Sequence, residues 1–140
     1  MSCTFCDLQV GKVLNRIIEE TSDTLIFLSN PCKMPGHLLV VPKRHVETLS
    51  ELTDEELMHV MKQVAEYQNK IIERITPGCD VRQHYQPYVA DSEFKVSHLH
   101  FHLQPRSLND EMYEKSGKFE NPLFYYLSEE ERERITQLLK

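Results

Sequence analysis

Apolar residues recur along this chain with two different periods, and the switches between them mark out its elements. Short β-prone runs at residues 13–18 and 25–28, separated by the polar stretch 19–23, predict a hairpin. Pro35-Gly36 then punctuates the chain, and Leu38-Leu39-Val40-Val41, stopped by Pro42, reads as a buried strand. The period changes after Ser50 or Thr53, either of which can cap a helix whose first turn carries Asp54, Glu55 and Glu56, where acidic side chains complement the helix dipole. Leu57, Val60, Met61, Val64, Tyr67, Gln68, Ile71 and Ile72 follow at steps of three and four until Pro77-Gly78 ends the pattern. Residues 81–88 and 95–103 return to strand patterns, and a last helix runs from about Ser128 with Ile135, Leu138 and Leu139 on one side. Strands, one long helix, two more strands and a terminal helix predict an α+β fold: an antiparallel sheet of about five strands with helices on one face.

Composition narrows the class. A chain of 140 residues, 40% hydrophobic and 27% charged, has room for one compact domain with a packed core. No apolar run approaches the roughly 20 residues that cross a bilayer, and no basic-then-apolar leader follows Met1, so a cytoplasmic protein without membrane contact is expected. Sixteen Lys and Arg against 22 Asp and Glu leave a net charge of -6, which argues against a nucleic-acid polymer as partner. Any phosphate must be gripped locally. Four cysteines are too few and too unevenly spaced for a disulfide framework, and Cys3 and Cys6 have the half-site spacing of a structural zinc centre.

Three of the seven histidines fall within five positions. On a strand, His98, His100 and His102 would project to one side and Leu99, Phe101 and Leu103 to the other, so that the apolar set buries under the helix and the imidazoles form a row on the opposite face. Such a row suits either of two chemistries. Histidines at i and i+2 can chelate a hydrolytic zinc with a third ligand from elsewhere, or the central imidazole can attack phosphorus while its neighbours hold the developing charge.

The run His98-Leu99-His100-Phe101-His102-Leu103-Gln104 resembles the signature of the histidine triad family. Pro35-Gly36-His37-Leu38-Leu39-Val40-Val41-Pro42-Lys43-Arg44-His45 resembles that family's upstream strand, and Cys3-Thr4-Phe5-Cys6 resembles the start of many bacterial members. The likeness spans residues 3–106 in order; it implies a histidine triad domain over 1–106, with 107–140 as a C-terminal arm and helix packed on it. It also implies a nucleotidyl hydrolase or transferase that cleaves at the α-phosphate of a nucleotide, such as a nucleoside phosphoramidate or a dinucleoside polyphosphate. His100 falls on the nucleophile, with the carbonyl of His98 fixing its tautomer, and His102 and His37 fall on the residues that donate to phosphate oxygens. Phe27, Phe5 and Leu8 match walls of the base pocket, and Ser29 or Asn30 the ribose grip. His45 and His98 would complete a structural Zn2+ site with Cys3 and Cys6. Members form two-fold homodimers, here through the main helix, with Met58, Met61, Ala65 and Tyr67, and the strand 81–88.

One departure stands out. Where the family carries a Gly-rich loop and a hydroxyl ahead of the row, this chain has Asp91-Ser92-Glu93-Phe94-Lys95, with no glycine and with Lys95 at the hydroxyl position. Lys95 is then a candidate substrate cation, with Ser92 and Ser97 as candidate hydroxyls, and the loop is not expected to approach the leaving group in the usual way. His59 and His84 read as surface residues. Two other functions fit the same residues: a zinc hydrolase using the row as ligands, and a nucleotide-binding module with little catalysis.

Overall fold

The structure, a computed structural model, describes residues 3–9, 17–116 and 125–140. The chain forms two compact units, Met1–Asp110 and Glu111–Lys140. Near the end of the first unit Arg106 bonds both Asp80 at 2.5 Å and Asp110 at 2.7 Å.

The first unit is a five-stranded sheet. Helix α1 (Thr4–Gln9) precedes β1 (Ile17–Glu20), β2 (Thr24–Leu28) and β3 (Leu38–Pro42); helix α2 (Asp54–Arg74) leads to β4 (Gly78–Gln83) and β5 (Phe101–Arg106). All pairings are antiparallel and the spatial order is β1-β2-β3-β5-β4. The expected start of β1 at residue 13 lies outside the described residues. In the second unit are α3 (Glu111–Ser116), within what reads in sequence as an arm, and α4 (Glu129–Leu139), which starts at the Ser128 cap as expected. Residues 117–121 of that arm, with Phe119 and Phe124, lie outside the described residues. Among the described residues no helix is long and apolar enough to cross a membrane.

Helix α2 is set by its caps and its stripe. Thr53 Oγ1 accepts from the Glu56 backbone N–H while Glu56 reaches back to Thr53, satisfying two helix-end donors reciprocally. Its stripe of Val60, Val64, Tyr67 and Ile71 packs on Ile26, Leu38, Val40, Phe101 and Leu103. Tyr67 belongs to this core, its hydroxyl donating to Glu19, rather than to an outer surface, whereas Met58 and Met61 are exposed.

Two strands differ from expectation. β4 stops at Gln83 rather than 88, and β5 begins at Phe101 rather than 95, because Gln83 and Phe101 are the last partners on that ladder and β3 likewise ends its pairing with β5 at Val40 and Phe101. Ahead of Phe101 the chain is held by other bonds, including Leu99 N–H to the Val46 carbonyl at 2.6 Å. Helices also occupy both faces of the sheet, not one: Phe5 and Leu8 of α1 pack on Leu25, Phe27, Leu39 and Val41, the face opposite α2.

Candidate functional site

On this second face the alternation of β3 and β5 brings His37, one residue before β3, beside His102, whose strand partner is Leu39. Their protons can be placed from the backbone. The Lys33 N–H donates to His37 Nδ1 at 3.2 Å, so the neutral His37 ring carries its proton on Nε2 and donates it to His102 Nδ1 at 2.9 Å. His102 is then left with its N–H on Nε2. His100 Nδ1 donates to the His98 carbonyl at 2.6 Å, which leaves the lone pair of His100 on Nε2. Burial lowers the pKa of all three rings. His37 falls to about 4 through burial, then the charge of Lys33; His102 falls to about 3 through burial, then its histidine neighbours; His100 falls despite the opposing bond to His98. The cluster is neutral at pH 7.

These rings border a cavity of about 480 Å³, within the range of small-molecule sites. Its apolar end is Phe5, Leu8, Phe27 and Leu39; the Phe5 ring meets Phe27 edge-on at 5.5 Å and His100 edge-on at 5.0 Å. Ser29 and Asn30 line it too, with Ser29 Oγ donating to the Pro31 carbonyl at 2.8 Å. The turn before His37 needs Gly36: its φ is 85°, and a Cβ there would meet Ile75 and Pro105 at 3.1 Å.

The loop without glycine reaches the cavity after all, since Ser92, Glu93, Phe94 and Val96 line it. Asp91 organises the loop, accepting from the Ser97 N–H at 3.1 Å, from Ser97 Oγ at 2.6 Å and from the Lys95 amine at 2.9 Å. Those bonds, Ser97 first, hold its carboxyl down at about 2. Lys95 also bonds Ser97 and does not line the cavity, so its amine is engaged within the loop.

A second cluster abuts the first. Cys3, Cys6, His45 and His98 present ligand atoms all within 4.8 Å of one another. Cys3 Sγ is 3.4 Å from His98 Nδ1, Cys6 Sγ 3.5 Å from His45 Nδ1 and 3.7 Å from His98 Nδ1. A tetrahedron with zinc–ligand bonds of 2.0–2.3 Å has edges of roughly 3.5 Å, so these spacings fit that ion. His98 is prepared for it: Nε2–H donates to the Pro42 carbonyl at 2.7 Å, which turns the Nδ1 lone pair toward the thiols. Burial, then the Cys3 thiol, raises the Cys6 pKa to about 11, a crowding that a dication would relieve. A helix does begin beside Cys3, at Thr4, contrary to the sequence pattern, and it carries Cys6 into place.

The HIT domain family model matches residues 11–109. The chain belongs to the HIT family. Among curated relatives, an uncharacterised HIT-like protein of Methanocaldococcus jannaschii is 32% identical over 85% of this chain and 90% of its own length. An adenosine 5'-monophosphoramidase of Schizosaccharomyces pombe is 30% identical over 76% of this chain and 75% of its own. Among solved structures, a HIT-family protein of Bacillus subtilis superposes with a TM-score of 0.74 at 24% identity, over 99% of this chain and 95% of that one. A zinc-bound histidine triad protein of Mycobacterium smegmatis does so at 0.64 and 26%, over 79% of each chain.

In this HIT protein the structure gathers His37, His100, His102, Phe5, Leu8, Phe27, Ser29 and Asn30 around one cavity and the two cysteines with His45 and His98 around a second point. Three residues at the site have no signal in the sequence pattern. Phe94 and Lys33 line the cavity, and His84, exposed just beyond β4, sets its ring 5.6 Å from His102. All three lie in loops, where periodicity carries no information about direction.

Proposed function

We propose that this HIT protein is a nucleotidyl hydrolase that cleaves at the α-phosphate of a nucleotide, a nucleoside phosphoramidate or a dinucleoside polyphosphate, through a nucleotidylated His100. The supporting observation is the backbone-set proton pattern, which leaves His100 with an unprotonated Nε2 at the wall of a cavity whose other end is apolar. In the first step the Nε2–P bond forms as the bond from phosphorus to the leaving group breaks, and that group departs with a proton. Water then displaces His100, giving the nucleoside monophosphate, so that one water is divided between the two products. His102 donates from Nε2 to a phosphate oxygen, and His37 acts through His102, holding its ring and tautomer. Phe5, Leu8 and Phe27 take the base, and Ser29 or Asn30 the ribose.

We infer further that Cys3, Cys6, His45 and His98 hold a structural zinc, which supplies a closed crosslink and no open position for substrate. His100→Ala tests the nucleophile. Its turnover of an adenosine phosphoramidate should fall at least about 10³-fold while AMP binding persists, and rapid quench of the wild type in denaturant at alkaline pH, where a P–N bond on imidazole survives, should trap a nucleotidyl adduct by intact mass. Wild-type turnover by His100→Ala would refute the mechanism. Turnover that follows zinc content while the fold stays intact would instead mark a zinc hydrolase.

A further inference from the structure

Because His37 Nδ1 accepts from the Lys33 N–H and His102 Nδ1 accepts from His37, each of these two rings carries one proton, so what they offer a phosphate is an uncharged hydrogen bond, roughly half as strong as a charge-assisted one. Of the described residues lining the cavity, the charged ones are Lys33 and Glu93. Neighbouring cations are engaged elsewhere: Lys43 with Glu20, Lys95 with Asp91, Arg82 with Asp80. Lys33 makes no ion pair among the described residues. It sits on an anchored loop. Its own N–H is bonded to His37, Ser29 N–H donates to the His37 carbonyl at 2.9 Å, and the His37 N–H returns to the Met34 carbonyl at 3.2 Å.

Position along the histidines gives the residue a side. Phe5 touches His98 and His100, at the apolar end. Lys33 lies at the other, its N–H on His37, and from His37 the rings of His102 and His84 follow at separations of 5.1 and 5.6 Å. Among the described residues the cavity is therefore polarised, from an apolar pocket past His100 to one cation, Lys33, beside His37. Glu93 lines the same cavity from the loop of Asp91 and does not reach ion-pair distance of Lys33.

We propose that Lys33 is a further phosphate-binding residue of this site, placing an ammonium at the end of the cavity away from the aromatic pocket. The inference rests on the reading of the cavity as a nucleotide phosphate site. An ammonium on a flexible stem suits this task, since it acts as a point charge and can follow the phosphoryl group as bonds change.

Affinity for AMP and for adenosine, measured by calorimetry on the full chain with Lys33→Met and Lys33→Arg, tests it. Methionine keeps the backbone N–H that holds His37, and Lys33 is exposed, so the fold should be unchanged in a thermal melt. The expected result for Lys33→Met is AMP binding weaker by about five- to tenfold at low salt, modest because the ammonium is solvated. Adenosine binding should be unaltered, the gap should narrow as salt rises, and Lys33→Arg should recover most of the loss. Equal losses for AMP and adenosine, or AMP binding within about twofold of wild type in Lys33→Met, would overturn the assignment while leaving the site as a nucleotide site. A wild-type chain that does not bind AMP would overturn both.

Discussion

The two faces of the sheet are made from the same strands and are closed in different ways. Toward α2, Ile26, Leu38, Val40, Phe101 and Leu103 meet a 21-residue capped helix, and the contact is almost wholly apolar. On the other side Leu25, Phe27, Leu39 and Val41 meet a six-residue helix, and the remainder of the face is imidazole and cavity. Six residues are too few to be helical alone. What holds α1 in place must come from outside its own turn, and the candidates are Phe5 and Leu8 beneath it and the Cys3, Cys6, His45, His98 cluster at its end. One face is stabilised by area. The other adds to its small apolar contact a few specific polar ones, those of Cys3 and Cys6 with His98 and His45 and the bond from Gln9 Nε2 to the Lys43 carbonyl at 2.6 Å.

The largest test of this contrast concerns the zinc proposed at Cys3, Cys6, His45 and His98. With zinc chelated, or in Cys6→Ser, α1 should come away with Phe5, and AMP affinity should fall by about tenfold or more, because Phe5 forms both the apolar end of the cavity and the edge contact on His100. Binding energy at such sites is folding energy, so the melting temperature should fall as well. Hydrogen exchange locates the effect: amides of residues 3–9 should lose protection while those of α2 and β5 keep theirs. Protein from zinc-replete medium that contains no zinc, or unchanged protection at residues 3–9, would break the distinction between the faces.

A pair of core truncations sharpens it. Leu103, fully buried under α2, should cost about 2–5 kcal/mol when changed to alanine and leave AMP affinity within about twofold of wild type. Phe27, also buried but bordering the cavity, should lose a similar amount of stability and in addition most of its nucleotide affinity, since its ring supports Phe5. Denaturant melts with calorimetry on the same samples read both quantities. Identical binding losses for Leu103→Ala and Phe27→Ala would mean that the faces are not functionally separate.

Much of this was legible before any coordinates. Helix α2 carries its cap, acidic first turn and stripe in plain sequence, and β3 is bounded by Gly36 and Pro42. The alternation at residues 98–103 put Phe101 and Leu103 under α2 as expected, whereas Leu99, ahead of the ladder's start at Phe101, packs with Val46 and Leu52 in a separate cluster. Alternation reports the pleat and not the pairing. β5 runs past the expected end at 103 to Arg106, because its ladder with β4 continues through Pro105 opposite Cys79 to Arg106 opposite Gly78, while the β3 ladder has already stopped at Leu103 and loses no bond to the proline. Helix α1 was not legible, being too short to show a period. Lys33, His84 and Phe94 reach the site through loops whose course is set by tertiary bonds, such as the grip of Asp91 on Ser97, and no local pattern encodes those.

The smallest expected effect is the acid response, and it too separates the faces. His37 is buried and His102 half-buried, and loss of solvation lowers their pKa values from 6.5 to about 4 and about 3. Above pH 6.5 folded and unfolded chains are both unprotonated at these rings, and their stabilising contribution is fully present. As the pH falls from 6.5 toward 4 the unfolded chain takes up protons that the native rings refuse, so stability must fall over that window. Carboxylates act lower: Asp91, held at about 2, releases its contribution only below its ordinary value of 3.8. Among the described residues of the α2 core the ionisable Tyr67 hydroxyl is displaced upward, away from this range. Urea unfolding at several pH values between 7.5 and 5, on wild type and His37→Gln, isolates the term. Glutamine can still donate to His102 but does not titrate, and the metal ligands cancel in the difference. The wild type should lose stability more steeply than His37→Gln, by close to one proton's slope, about 1.4 kcal/mol per pH unit at most. Parallel curves would show that His37 is not held neutral by burial, and the proton chain from Lys33 through His37 to His102 would lose its basis.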